Sequence, residues 1–147
     1  MGYPTDTTIW PTFLFSDARQ LIDRFFTLAD TRSDDAGPRI AQEIFTPGGE
    51  FISPQATFVG SAEISESRKN AWTTIKLRQH TVSKVYVNDA RGTDLIIIGR
   101  LRTVSVDDKE ASMDFVARML LETGDQGTRA SLYRVISPPA QDPRPIV

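Results

Sequence analysis

The sequence predicts an α+β fold in which a cone-shaped, curved and mainly antiparallel sheet wraps around three helices of the N-terminal and central chain. Three observations predict it. Apolar residues recur at helical spacing only in the first half of the chain. After Lys76 the spacing becomes extended, in four long stretches whose separators are short enough for antiparallel hairpins. Finally, 147 residues, 39% hydrophobic and 24% charged, supply one core and leave no room for a separate cofactor-binding domain.

Residues 1–15 read as an N-terminal arm broken by Pro4 and Pro11, whose Trp10, Phe13, Leu14 and Phe15 predict docking onto the body or onto a partner. Residues 16–137 form the cone domain. Residues 138–147, with Pro138, Pro139, Pro143 and Pro145, form an irregular proline-rich tail. Within the domain, Ser16 is a candidate N-cap, and Ala18, Leu21, Ile22, Phe25, Phe26 and Ala29 mark an amphipathic helix over 17–31. A second helix over 35–45 carries Pro38 in its first turn, with Asp34 and Asp35 as caps, and Pro47, Gly48 and Gly49 end it. Short strands follow at 50–53 and 57–59. Gly60 opens a third helix over 61–76, on which Ile64, Ala71, Trp72 and Ile75 share a face. The long strands are 78–88, 94–106, 111–122 and 128–136. A cone closed by helices leaves a single apolar pocket, the default place for chemistry.

Composition excludes several function classes. A formal charge of −2 without a basic block lacks the footprint of a nucleic-acid binder. The absence of cysteine removes disulfides, thiol catalysis and Cys-built metal sites. His80 is the sole histidine, so no multi-histidine metal centre can be built within one chain, and neither a metal nor another cofactor is expected. No P-loop, GxGxxG, GxSxG or HExxH motif occurs. No apolar run approaches the ~20 residues of a membrane span and the first residues do not read as a signal peptide, so the expected location is cytoplasmic, with no membrane partner.

The order of segments, with ADTRSDD late in the first helix, FISPQATFVGS before the third and LRQHTVSKVYV opening the long sheet, resembles the nuclear transport factor 2-like superfamily. That superfamily includes SnoaL-like cyclases, ketosteroid isomerase and scytalone dehydratase. The resemblance covers roughly residues 15–136. It implies that His80 sits where the dehydratase carries a catalytic histidine and that Asp30 takes the place of its histidine-orienting aspartate. The dehydratase's second histidine has no counterpart in IIGRLRTVSVDD, and its tyrosine beside the aspartate is replaced by Ala29. The general base of ketosteroid isomerase is replaced by Ser53, whereas Asp114 aligns with that enzyme's oxyanion-holding acid. A homodimer is implied as well.

The residues themselves carry part of this reading. His80 is the side chain whose ordinary titration lies nearest neutrality; it is either a directed base or a half-buried histidine satisfied by backbone. Ile22, Phe26 and Asp30 are four residues apart, which turns Asp30 toward the apolar side of its helix. Strand alternation puts Asp114, Val116 and Arg118 on one face and Met113, Phe115, Ala117 and Met119 on the other; the first set either lines the pocket or forms ion pairs on the exposed face or across a dimer. Phe26, Phe51, Phe58 and Trp72 are core aromatics that would also suit a flat, apolar or polycyclic ligand. The expected function is cofactor-free acid-base chemistry on a polyketide- or terpenoid-like carbonyl compound, by dehydration, isomerisation or cyclisation. The competing expectation is a non-enzymatic module of the same fold that binds an apolar metabolite or a partner. Apolar residues on both alternations of 95–98 also predict a homodimer through the outer face of the sheet.

Overall fold

A computed structural model describes residues 4–136; the proline-rich tail over 138–147 lies outside the described residues. The four long strands form as expected: β3 (Ile75–Val87), β4 (Asp94–Ser105), β5 (Glu110–Gly124) and β6 (Gly127–Val135). Each pairs antiparallel with the next. The sheet does not stop there. β1 (Phe45–Ile52) lies parallel to β6, and β2 (Thr57–Val59) pairs antiparallel with β1, giving six strands in the order β2-β1-β6-β5-β4-β3. The sheet is curved and unclosed, and β3 is one of its edges.

The first helix, α1 (Ser16–Ala29), buries Ala18, Leu21, Ile22, Phe25, Phe26, Leu28 and Ala29 against the concave face. Ser16 is its first residue rather than its cap; Phe15 takes the cap position and supplies no side-chain hydrogen bond. The second helical segment is α2 (Ala36–Arg39), which widens into a π-helical turn (Ile40–Ile44). Asp35 stands at its N-cap without capping it, since its carboxylate accepts the Ser33 hydroxyl instead. Pro47, Gly48 and Gly49 do not separate helix from strand as expected. They are absorbed into β1 as an irregularity between Phe45 and Glu50 in its register with β6.

The largest departure is the third helix, which ends at Ser65 (α3, Gly60–Ser65) instead of running to residue 76. Beyond it the chain descends through successive i to i+3 bonds, from Glu66 N–H to Glu63 O through Thr73 N–H to Asn70 O, and enters β3 at Ile75. Ser67, Asn70, Thr73 and Thr74 are weak helix formers. Of the four residues assigned to a shared helical face only Ile64 is fully buried, so one turn is all that packing supports.

The arm closes the free edge of β3. Val82 N–H donates to Pro4 O at 2.8 Å, Ile9 N–H to Ser83 O at 3.0 Å, and Val85 N–H to Ile9 O at 3.1 Å. The Thr8 hydroxyl adds a bond to Val82 O. Leu14 is buried in the core, while Trp10 lies under the Arg19 guanidinium.

Gly99, on β4, lets the core close over the site strand. A Cβ built there would stand 2.5 Å from Thr81 O and 2.7 Å from the Phe115 ring. Gly99→Ala is therefore expected to destabilise the fold by about 1–3 kcal/mol, the usual cost of overpacking a core. Urea denaturation reads this directly, and an unchanged midpoint would show that the ring and the neighbouring strand give way freely.

Candidate functional site

The end of α1 meets the edge of β3 through one carboxylate. Asp30 follows Ile22 and Phe26 by successive helical turns, and its side chain therefore emerges on the buried side of the helix, facing the strand that carries His80. Asp30 Oδ1 lies 2.6 Å from His80 Nδ1, and Oδ2 accepts the backbone N–H of the same residue at 2.7 Å. An ionised carboxylate can only accept, so Nδ1 carries the proton and Nε2 holds the free lone pair. Among the described residues no hydrogen bond occupies Nε2. Both side chains are 14% exposed, buried enough to be held and open enough to be reached. The Phe26 ring lies 4.9 Å from the imidazole and the Phe115 ring 5.6 Å, edge to face. The pair is thus an oriented imidazole with aromatic rings beside it.

Two arginines complete the surroundings. Arg68 donates to Ala29 O, one of the carbonyls left open at the C-terminus of α1, at 2.6 Å. Arg78 precedes His80 by two residues on β3, donates to Ala71 O at 3.0 Å and has its guanidinium carbon 5.8 Å from the centre of the Trp72 ring. Burial pushes the Arg68 guanidinium down to about 10, Arg78 repels it further, and Asp30 opposes the shift. Arg78 is lowered by burial, again opposed by Asp30. The sequence assigns neither arginine to the site, and Arg68 falls there on the solvated side of the expected third helix. The signal available for Arg78 was its two-residue spacing from His80, which puts both side chains on one face of a strand.

The other predicted residues fall into two groups. Phe26 touches His80, and Trp72 is tied to the site through Arg78, whereas Phe51 and Phe58 lie further along a run of rings. That run goes from Phe58 to Phe51, then Tyr133, Phe26 and His80, with centroid separations of 5.9, 5.6, 6.0 and 4.9 Å. Burial raises the ionisation of the Tyr133 phenol far above its ordinary value, which keeps it neutral. Asp114, Val116 and Arg118 are on the opposite face from His80. Asp114 pairs with Arg100 at 3.0 Å with its side chain 76% exposed, and Arg118 pairs with Asp94 at 2.9 Å. The reason is strand parity: Phe115, Ala117, Met119 and Leu121 take the concave face of β5. This corrects the placement of Asp114, Val116 and Arg118 in the site.

Two cavities border the fold elsewhere. One of about 710 Å³ lies between the arm and the outer side of α1, lined by Trp10, Arg19, Asp23 and Arg24 among others. Another, of about 450 Å³, lies by the β5–β6 hairpin and includes Phe45, Pro47 and Arg129. Neither is lined by His80 or Asp30, so the expectation of one pocket centred on the pair is not met by these two. Among the described residues no group of three or more His, Cys, Asp or Glu side chains could hold a metal ion, and no helix is long and apolar enough to cross a membrane.

Neither a family model nor a curated protein matches the sequence. Solved structures do match. A nuclear transport factor 2-like superfamily protein from Salmonella enterica serovar Typhimurium has a TM-score of 0.65 at 17% identity, over 85% of this chain and 90% of that one. Aln2 from a Streptomyces species has a TM-score of 0.67 at 16% identity, over 86% and 93%. A hexachlorocyclohexane dehydrochlorinase, LinA type 2, has a TM-score of 0.63 at 16% identity, over 81% and 84%. A six-stranded, curved and unclosed sheet with α1 held in its concavity, together with these likenesses across most of each chain, identifies the fold as nuclear transport factor 2-like.

Proposed function

We propose that the protein is a small acid-base enzyme in which His80, oriented by Asp30, removes a proton next to a carbonyl of an apolar substrate. The observation that carries this reading is the two-point hold of Asp30 on His80, which leaves Nε2 as the one unengaged ring nitrogen. The similarity to a dehydrochlorinase of the same fold adds support, since that name denotes removal of a proton and a leaving group. In a dehydration, Nε2 takes the proton, the C–H electrons form the new double bond, and the hydroxyl leaves with its bonding pair. The imidazolium returns the proton to the departing oxygen, so that one water is lost and His80 ends neutral. Isomerisation differs only in returning the proton to another carbon. Nothing in this sequence of steps draws on a cofactor.

A second reading, binding of an apolar metabolite or a partner without turnover, is favoured by one observation: the two cavities described lie away from the pair. We further propose a homodimer through the outer face of the sheet. Ile96, Ile98 and Val116 lie half-buried at the middle of that face, and Tyr86 is 44% exposed beside them. The ion pairs Arg100–Asp114 and Arg118–Asp94 flank them.

Proton abstraction is testable without the natural substrate, by following deuterium uptake next to the carbonyl of a panel of apolar ketones and β-hydroxy carbonyl compounds in D₂O by NMR. His80→Gln is expected to slow exchange by about 10²- to 10⁴-fold with the circular dichroism spectrum unchanged. Asp30→Asn should cost about 10²-fold or more, because an amide NH2 facing Nδ1 donates to it and moves the ring proton to Nε2, the nitrogen that must accept. Exchange as fast in His80→Gln as in the parent would exclude the mechanism and favour the binding reading. Light scattering at micromolar concentration is expected to report twice the 16.4 kDa chain mass, and a monomeric mass would count against the dimer.

A further inference from the structure

Arg68 and Arg78 place two guanidinium groups beside a single carboxylate, and both oxygens of that carboxylate are already held by His80. Among the described residues neither arginine forms an ion pair. Each makes one hydrogen bond to a backbone carbonyl, Arg68 to Ala29 O and Arg78 to Ala71 O, and each keeps a buried Nε–H without a partner. A buried donor without a partner costs free energy, and an arginine without an anionic partner in a half-buried site costs more. The roles of the two differ. Arg68 is tied to the end of α1 and supports the helix. Arg78 stands on β3 two residues before His80, so both side chains take the concave face with their Cα atoms about 6.4–6.8 Å apart.

We propose that Arg78 binds a carboxylate of the substrate, so that the natural ligand is an apolar acid that carries a carboxylate in addition to the carbonyl next to which His80 acts. The proposal rests on the reading of His80 as the base and specifies its substrate class. The two-residue spacing lets one small substrate reach both side chains, its carboxylate on Arg78 and its labile proton at His80. The guanidinium presents a planar set of donors that fits a carboxylate, and Arg68 adds positive potential behind it. Trp72, against which Arg78 rests, limits the directions the guanidinium can take and makes the indole a reporter of binding.

The test uses benzoate as the anionic probe and benzamide as its neutral counterpart. The protein carries Trp10→Phe, so that Trp72 is its sole tryptophan and its fluorescence can be titrated. Benzoate is expected to bind at least about tenfold tighter than benzamide, and Arg78→Gln should remove that preference. Arg78→Lys, which keeps the charge and loses the planar fork, should retain part of it. His80→Gln is expected to bind benzoate nearly as the parent does, so failure of the base reading and failure of the anion reading give different results. Equal binding of benzoate and benzamide overturns the proposal, as does an undiminished preference in Arg78→Gln. If Arg78→Gln fails to fold, the benzoate-to-benzamide ratio in the parent and in Arg78→Lys decides the matter.

Discussion

One carboxylate joins the two halves of this protein. Asp30 terminates α1, and its two oxygens hold the ring and the backbone N–H of His80, 50 residues further along the chain. The bond to the ring sets the tautomer and direction of the imidazole. The bond to the backbone satisfies an amide that an edge strand would otherwise leave open. The two effects are inseparable: whatever keeps β3 against the helix also keeps the imidazole aimed. An asparagine could keep both contacts only by donating to Nδ1, which would move the ring proton to Nε2.

A carboxylate at a helix C-terminus is poorly placed, because the helix presents its own open carbonyls and the negative end of its dipole there. Arg68 answers this by donating to Ala29 O, and Arg68 and Arg78 both place positive charge near Asp30. The local electrostatics therefore form a sequence from helix end to arginine to aspartate to histidine. Packing reinforces it: Phe26 and Phe115 contact the imidazole, and Phe115 can lie there because Gly99 has no side chain.

How much of this was legible follows from the range of each interaction. Local periodicity placed α1 and the four long strands closely, because burial of one face leaves a regular imprint on the sequence. The four-residue step from Phe26 to Asp30 and the lone histidine of a long strand were legible for the same reason. The third helix misled because Ile64, Ala71 and Trp72 fit a helical face only if the serine, asparagine and threonine residues between them are ignored; their preference for turns decided the outcome. Asp114 and Arg118 were grouped correctly on one face of β5, but alternation does not say which face meets the helix. The pairing of the arm with β3 and the parallel pairing of β1 with β6 join residues far apart in sequence and leave no local imprint.

The arm bears on how the chain avoids its neighbours during folding. Thr8 meets Val82 across 74 residues, so the strand that carries His80 gains its outer partner only through one of the longest loop closures among the described residues. Until that closure, β3 presents free amides and carbonyls to any other extended chain, along a stretch that includes Val82, Val85 and Tyr86. A segment of this kind is a template for intermolecular strand addition. The docked arm therefore protects solubility as well as geometry, and a weakened arm would show first in crowded refolding, as turbidity at a concentration where each separate molecule still folds.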